Sequence, residues 1–282
     1  MPELPEVETV RRGLAPYIVG KTIRDVEVLD ARSLKKDSVK HFKSTLAQRR
    51  ITGIERRGKF LWLILDNSPN VVVVHLGMSG QVLLEPHSSQ MHSHVRINIA
   101  LKNASREIRF RDQRLFGGLH LDTLQGDIPA SVSHIAPDFF DTRFDLDSVL
   151  KTLSKRTAGI KSLLLNQNII SGVGNIYADE ALWLAKVHYL TPGNRLSKSR
   201  LETLLLSAQE VMAKAIKAGG TSFDDLYVNV NGESGWFELE LNAYGREDEP
   251  CSRCGRLIVR EAWSNRSSYR CPRCQPKPRT AR

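Results

Sequence analysis

The chain has 282 residues, of which 41% are hydrophobic and 26% are charged. This composition is typical of a folded globular protein, and the length is enough for two domains and a small appendage. No run of residues approaches the ~18 apolar positions of a membrane span, and the acidic opening does not match a secretory signal peptide. We therefore expect a cytoplasmic protein without a membrane partner.

The net charge of +10 is distributed unevenly along the chain. Residues 251–282 contain nine Lys and Arg against one acid, Glu261, which gives this end +8 and leaves +2 for all other residues. Such a concentration of positive charge indicates a polyanionic partner.

The first six residues, Met1-Pro2-Glu3-Leu4-Pro5-Glu6, carry the first candidate chemistry. Removal of the initiator Met would leave the secondary amine of Pro2, a carbonyl nucleophile whose iminium keeps its charge. A free α-amine has a pKa of roughly 7.7–8, and the positive end of a helix beginning here would disfavour the charged form. Glu3 is close enough to exchange protons with a substrate at this amine. An ordinary opening helix with N-terminal carboxylates is the alternative.

Apolar residues recur at three- and four-residue steps from Leu4 to Ile18, which predicts a helix that ends near Gly20. The following residues, to about 120, predict short strands separated by turns. The predicted strands are 23–28, 60–65, 71–76, 82–84, 95–99 and 108–110. We expect a β-sandwich or flattened barrel with the first helix packed against it.

A cluster of cations precedes the second predicted strand, formed by Arg49, Arg50, Arg56, Arg57 and Lys59. Taken alone, such a run is more typical of a solvated face than of a binding site. Lys59 directly precedes an apolar strand, where its ammonium could reach into a cleft.

Two loops of the first half carry residues that look functional. Met78 lies between glycines, an exposed setting for a methionine, and a turn places Arg114 beside Phe116. An apolar wedge next to an arginine is suited to insertion into a base stack. His92 and His94 could contact phosphate, although surface histidines often have no such role.

The second half is predicted to be helical at 145–154 and 160–166, with a glycine-containing break at 171–174. Asn175 is the expected N-cap of a helix to about Val187, and a longer helix spans about 197–218. A helix, glycine-rich turn and helix can dock on DNA, with the N–H groups of Gly174 and Asn175 facing a phosphate. A plain helical hairpin fits the same pattern. The long polar segment from Thr221 to about Tyr244 is predicted to be a lid or binding loop.

The four cysteines follow the spacing Cys251-x2-Cys254-x16-Cys271-x2-Cys274, which is typical of a four-thiolate zinc site. Two disulfides are the alternative, which a reducing cytosol disfavours. Short strands at 257–259 and 268–269 would be joined by a turn at 264–266, with Arg266 at its tip. Since four thiolates leave no position for water, a zinc ion here would be structural.

Three motifs and the cysteine spacing together resemble the formamidopyrimidine-DNA glycosylase family over nearly the whole chain, to about Gln275. The motifs are Met1-Pro2-Glu3-Leu4-Pro5-Glu6-Val7-Glu8-Thr9, His75-Leu76-Gly77-Met78-Ser79-Gly80 and Gly172-Val173-Gly174-Asn175-Ile176-Tyr177-Ala178. The resemblance implies an α+β multidomain protein: an N-terminal β-sandwich with a leading helix, a helical domain with a helix-two-turn-helix, and a four-cysteine zinc finger. It further implies a monomeric bacterial enzyme that excises oxidised purines, such as 8-oxoguanine and formamidopyrimidines, from double-stranded DNA and then cleaves the abasic site. We expect it to associate with the nucleoid through DNA.

The resemblance also implies roles for individual residues. Pro2 would attack C1′ of the damaged nucleotide, and Glu3 would be the acid–base group. Lys59 would donate a proton linked to β-elimination, and Arg266 would serve δ-elimination and phosphate binding. Glu6 would support the site or simply begin the helix. The implied DNA contacts are Met78, His92, Arg114, Phe116, Arg156, Lys161, Asn175 and Tyr177, and the implied zinc ligands are Cys251, Cys254, Cys271 and Cys274.

We expect a catalytic domain at 1–132, a helical domain at 133–220, a lesion-recognition loop and linker at 221–245, a zinc finger at 246–275 and a basic tail at 276–282. Leu115 stands where many relatives have a second arginine, which leaves the opposite-base preference open. The tail is expected to add non-specific DNA affinity.

Two alternative functions also fit the sequence. Endonuclease VIII shares the Pro2-Glu3 pair and the finger but prefers oxidised pyrimidines, and Leu4 in place of its usual glycine favours the purine enzyme. A binder of damaged DNA without catalytic activity would use the helical hairpin and finger only.

Overall fold

The computed structural model describes residues 2–220, 230 and 241–278. Its contacts divide them into two compact units: residues up to His134 with 218–220 and Val230, and Ile135–Lys217 with 241–278. The predicted binding loop from Thr221 lies outside the described residues, except for Val230 and 241–244. Within the described ranges, none of the helices combines the length and apolarity that crossing a bilayer requires.

The first unit is built from two antiparallel sheets and two α-helices. The helices are α1 (Leu4–Ile18) and α2 (Val39–Leu46), and the strands are β1 (Ile23–Val28), β2 (Ile51–Arg57), β3 (Phe60–Leu65), β4 (Asn70–His75), β5 (Gly80–Pro86), β6 (Val95–Leu101), β7 (Arg106–Asp112), β8 (Gly118–Gln125) and β9 (Ile128–Pro129). One sheet has the order β1-β6-β7-β5 and the other β2-β3-β4-β8-β9.

The core of this unit lies between the two sheets and includes α1. The apolar stripe of α1, from Val7 to Ile18, is at most 1% exposed and belongs to the same cluster as Leu61 and Phe110, which come from different sheets. Val230 joins this core, and its carbonyl accepts a hydrogen bond from the N–H of Leu84 at 2.8 Å. The predicted sandwich with a leading helix is therefore confirmed.

The sequence did not predict α2, β2 or β8. Strand β2 carries Glu55, Arg56 and Arg57, so it looks like a charge run rather than a strand. The solvated-face interpretation is wrong for its arginines, because Arg57 is buried and the Arg56 guanidinium lies 3.0 Å from the carboxylate of Glu8. The ion pair with Glu8, 48 positions earlier in the sequence, compensates the charge of Arg56 where the local pattern indicates solvent.

The second unit contains four α-helices and a β-hairpin. They are α3 (Leu146–Leu153), α4 (Ile160–Leu164), α5 (Asn175–Leu184), α6 (Lys198–Lys217), β10 (Val259–Trp263) and β11 (Arg266–Arg270). Between α4 and α5 the chain makes two turns, held by the Gln167 amide, which accepts from Gly172 N at 2.8 Å and donates to Val173 O at 3.0 Å. The predicted helices are confirmed within a few residues, but the predicted N-cap is wrong: Gly174 is the cap and Asn175 is the first helical residue.

The hairpin has longer strands and a tighter turn than expected, because its first strand runs to Trp263 and its second strand already begins at Arg266. Its strands pair Trp263 with Arg266 across a two-residue turn, Ser264-Asn265, in which both residues have positive φ, of 43° and 58°. Two positive φ values match the primed turns that suit a right-twisted hairpin. Arg266 is exposed and is the first residue of β11, directly after the turn rather than within it.

Candidate active site and nucleic-acid interface

The start of α1 holds Pro2 and Glu3 in a buried setting. Pro2 is buried, and Glu3 is the N-cap of the helix with 1% of its surface exposed. The backbone N–H of Glu3 donates to the Glu6 carboxylate at 2.8 Å, as in a capping box. Glu6 therefore fixes the backbone next to Pro2, and the positive end of the helix dipole lies at the same place.

Glu8 ties this helix to β2. Its carboxylate accepts hydrogen bonds from Arg11 at 2.8 and 2.9 Å, from Arg12 at 2.6 Å and from Arg56 at 3.0 Å. Burial alone would raise the pKa of Glu8, but the hydrogen bonds and positive charges of these arginines outweigh it and lower the pKa to about 2. The helix that begins at the candidate nucleophile is thus anchored by a carboxylate that stays ionised at neutral pH.

Lys59 is half-buried in the two-residue turn that joins β2 to β3. Gly58 precedes it with φ of 54°, which suits the first central position of such a turn. Burial, followed by the charge of Lys59, lowers the pKa of His75 to about 4. His75 is therefore neutral at physiological pH and adds no charge that would repel the Lys59 ammonium.

The structure brings the three predicted wedge residues together at adjacent loops. Met78 lies in the turn between β4 and β5 and is 40% exposed, while Phe116 lies in the β7–β8 loop and is 53% exposed. The Arg114 guanidinium carbon lies 4.9 Å from the centroid of the Phe116 ring, as in a cation–π contact. A Cβ atom at Gly77 would collide with the backbone of Phe116 and Gly117, so the two loops pack backbone against backbone.

Two other predicted DNA contacts are exposed side chains on loops. His92 lies in the β5–β6 loop, and Arg156 lies between α3 and α4. Their exposure is compatible with contacts to phosphate, so both stay predictions.

Lys161 and Tyr177 differ from the prediction, because neither side chain is accessible to solvent. The Lys161 ammonium lies 2.7 Å from the Asp179 carboxylate and donates to the Ser267 carbonyl at 3.1 Å. A fully buried ammonium or phenol cannot contact a phosphate directly. In this structure both side chains are therefore internal, and a DNA-binding role of these two residues stays a prediction.

Asp179 connects helix α5 to the finger hairpin. Its carboxylate accepts from the Ser268 hydroxyl at 3.0 Å and from the Tyr269 N–H at 2.9 Å, in addition to Lys161. Burial raises the pKa of Asp179 to about 6, against the charge of Lys161, which acts to lower it. The Asn175 amide also donates to the Ser267 carbonyl, at 3.0 Å. These bonds hold the N-terminus of α5 next to the strand that carries Arg266.

The four cysteine sulfurs form a cluster in which all Sγ atoms lie within 4.8 Å of one another. The Cys254 sulfur lies 3.5 Å from that of Cys271 and 3.6 Å from that of Cys274. A disulfide would need about 2.05 Å, whereas a tetrahedral zinc with Zn–S bonds of ~2.3 Å separates its sulfurs by ~3.8 Å. The thiols are thus free and fit a structural zinc ion rather than disulfides.

Several residues with a clear structural role received no role in the sequence analysis. Asp112 accepts hydrogen bonds from both wedge loops, and Asp179 and Glu180 are buried carboxyl groups on α5 that bind distant backbone N–H groups. The partners of these acids lie from 2 to 90 positions away along the chain. Sequence spacing does not show such contacts.

Family models match three successive regions of the chain. Residues 1–119 match the formamidopyrimidine-DNA glycosylase N-terminal domain, 135–226 match the formamidopyrimidine-DNA glycosylase H2TH domain, and 248–277 match the zinc finger found in FPG and IleRS.

Curated relatives and solved structures agree with these matches. A formamidopyrimidine-DNA glycosylase of Nocardioides sp. is 52% identical, covering 100% of this chain and 97% of the relative, and that of Thermobifida fusca is 49% identical, covering 100% of both. A mutant of the Lactococcus lactis FPG, in complex with a Fapy-dG containing DNA, superposes with a TM-score of 0.88 at 34% identity over 98% of this chain and 100% of that one. The MutM (FPG) protein of Thermus thermophilus gives 0.86 at 34% identity, over 99% and 100%. The chain belongs to the formamidopyrimidine-DNA glycosylase family.

Proposed function

We propose that this protein is a bifunctional DNA glycosylase and abasic-site lyase that removes oxidised purines from double-stranded DNA in base-excision repair. The observation that carries the proposal is the buried start of α1, where Glu6 fixes the backbone of Glu3 directly beside Pro2. The family and its DNA-bound structural neighbours support the same activity.

Pro2 is the proposed nucleophile after removal of Met1. Its nitrogen attacks C1′ of the damaged nucleotide while the bond from C1′ to the base breaks, and the base leaves with the electron pair. The secondary amine loses its proton, and opening of the sugar ring gives an iminium, which acts as an electron sink for elimination. Glu3 is the proposed acid–base group, because its carboxyl belongs to the residue after Pro2 and is shielded from bulk water.

Lys59 and Arg266 are the proposed cationic groups of strand cleavage. Lys59 stands in a tight turn beside a neutral His75, and it donates a proton in the step linked to β-elimination. Arg266 is exposed at the hairpin turn, where it binds phosphate and assists δ-elimination.

The exposed wedge of Met78, Arg114 and Phe116 is proposed to occupy the space left by the everted nucleotide. Extrusion costs a few kcal/mol, and a wedge that fills the vacated stack offsets part of this cost. His92, Arg156 and Asn175 are proposed as phosphate contacts. Lys161 supports Asn175 from inside the second unit, since both side chains donate to the Ser267 carbonyl, and Tyr177 is buried on the same helix as Asn175.

The zinc ion, held by Cys251, Cys254, Cys271 and Cys274, has a structural role in this proposal. Bound zinc supplies folding energy to a segment whose own core is small. Within the described residues, the apolar cluster around the cysteines has only three other buried members, which are Trp183, Ala243 and Ile258. We further propose that the protein is a monomer and that its domains have the boundaries predicted from the sequence.

The function is tested by incubating the protein with duplexes that contain a single 8-oxoguanine, a formamidopyrimidine or a thymine glycol. We expect release of the two purine lesions and cleavage of the strand on both sides of the abasic site. Preferential release of thymine glycol would favour the endonuclease VIII alternative, and tight binding without release of any base would favour a non-catalytic binder.

A further inference from the structure

Asp112, the last residue of β7, connects the two loops that carry the wedge. Its side chain is completely buried. One carboxyl oxygen accepts from the Ser79 hydroxyl at 2.5 Å and from the Arg114 N–H at 3.1 Å, and the other accepts from the Gly117 N–H at 2.8 Å. The same carboxyl group therefore binds the turn that presents Met78 and both flanks of the loop that presents Phe116.

The backbone of these loops needs such a support. Leu115, between Arg114 and Phe116, has φ of 59°, a left-handed conformation that is unfavourable for a leucine. Its carbonyl accepts a hydrogen bond from the ammonium of Lys35 at 3.1 Å. The Asp112 carboxyl also satisfies backbone donors of this strained turn: it accepts from the Gly117 N–H, and it shares the Arg114 N–H with the Ser79 hydroxyl, which lies 3.3 Å from that nitrogen.

We propose that Asp112 is a positioning residue that holds Met78, Arg114 and Phe116 as one preassembled wedge before DNA binds. This inference rests on the proposed function, because it assigns Asp112 to the extrusion step of that reaction. A wedge that is already ordered loses less conformational entropy when it enters the base stack. Asp112 does not touch the reacting atoms in this scheme, and its effect passes through the wedge.

The Asp112→Asn variant tests the proposal with little change in side-chain shape. Its amide presents N–H groups where a carboxyl oxygen accepted hydrogen bonds, so at least one donor of the two loops loses its partner. We expect single-turnover excision of 8-oxoguanine paired with cytosine to fall roughly 10- to 100-fold, the range that small misplacements produce. When the 8-oxoguanine lies opposite an abasic analogue, it has no base pair to break before extrusion. On this duplex the excision rate of the variant should differ from that of the wild type by less than about threefold.

The ratio of these two rates separates positioning from general damage to the fold, because an inactive fraction of the preparation lowers both equally. Asp122→Asn is the matched control, since the Asp122 carboxyl also accepts backbone N–H groups, from Ser131 at 2.7 Å and from Thr123 at 2.8 Å, but away from the wedge. It should leave both rates unchanged. The inference would be overturned if Asp112→Asn lowered the excision rate equally on both duplexes, or lowered it on neither.

A double-mutant cycle with Met78→Ala gives a second measurement. If Asp112 acts by positioning the wedge, the double variant should excise the paired lesion little more slowly than the slower single variant. Rate losses that multiply would contradict the inference. Failure of the wild type to release 8-oxoguanine from either duplex would instead contradict the proposed function.

Discussion

The candidate catalytic residues of the first unit and the candidate phosphate-binding residues of the second unit are assembled in different ways. Pro2, Glu3 and Glu6 are close in sequence and lie at the start of one helix, with Glu3 as its N-cap. Arg266 and the start of α5 are 91 positions apart in sequence and are held together through Asp179, Lys161 and Ser267. The first arrangement follows from local backbone geometry, whereas the second depends on buried charge and on zinc. Chemistry and DNA binding should therefore be separable by mutation.

Removal of the zinc site is expected to have the largest effect and to act on binding. Cys271→Ser should abolish zinc binding, because it removes one of the four ligands. Since structural sites of this kind contribute ~10 kcal/mol or more of metal-binding free energy to folding, the finger should then lose its order. Without an ordered finger, affinity for a lesion duplex should fall roughly hundredfold as cationic phosphate contacts are lost. Metal analysis and fluorescence anisotropy measure the two quantities. Ser252→Ala, on the exposed neighbour of Cys251, is the control, and unchanged zinc content in Cys271→Ser would refute the site.

Glu3→Gln should act on chemistry and leave binding intact. Loss of a general acid–base group typically costs about 10²–10⁴ in rate, while the amide keeps the size of the buried side chain. Single-turnover excision measures the rate, and anisotropy measures the affinity. Glu210→Gln, on the exposed face of α6, should change neither. Undiminished base release by Glu3→Gln would remove Glu3 from the mechanism.

Lys161→Met tests the buried link between α5 and the finger hairpin. Breaking a buried ion pair by removing one partner costs ~3–5 kcal/mol, and Lys161 and Asp179 are 0% and 1% exposed. Urea denaturation should show this loss of stability. Lys198→Met removes an exposed ion pair with Asp147 and should leave stability unchanged. Equal effects of the two substitutions would contradict an internal role for Lys161.

Glu8→Gln should have the smallest effect and should depend on pH. Because its arginine partners depress the folded-state pKa of Glu8 from 4.5 to about 2, its contribution is present above pH 4.5 and is lost as the pH falls through 2. At neutral pH the variant should be less stable by on the order of 2 kcal/mol. Denaturation curves between pH 7 and 2 should converge for the two proteins. Glu27→Gln, exposed on β1, serves as the control, and a wild-type advantage that persists at pH 2 would contradict this assignment.

The parts of the molecule that the sequence predicts are those with local signals. Helix α1, the cysteine spacing and most apolar strands follow from periodicity and residue type. Strand β2 could not be predicted in this way, because Arg56 meets its partner Glu8 only in the folded chain. The burial of Lys161 is invisible in the sequence for the same reason, since Asp179 is its partner across two turns.

The wedge shows most clearly which contacts the sequence does not predict. Its exposed residues can be recognised from glycine-flanked and arginine–aromatic motifs, but the group that joins them cannot. Asp112 reaches Ser79, 33 positions earlier, and Gly117, five positions later. Only the pairing of β5 with β7 brings these loops to one carboxyl group.

Mapping the covalent attachment of DNA to the protein tests the central claim most directly. A lesion duplex is incubated with the protein in borohydride, which reduces an iminium to a stable amine, and the digested adduct is analysed by mass spectrometry. We predict that the DNA fragment is attached to the N-terminal peptide, at the nitrogen of Pro2 in a chain that has lost Met1. Attachment at a lysine, or full activity in protein that retains Met1, would contradict the account.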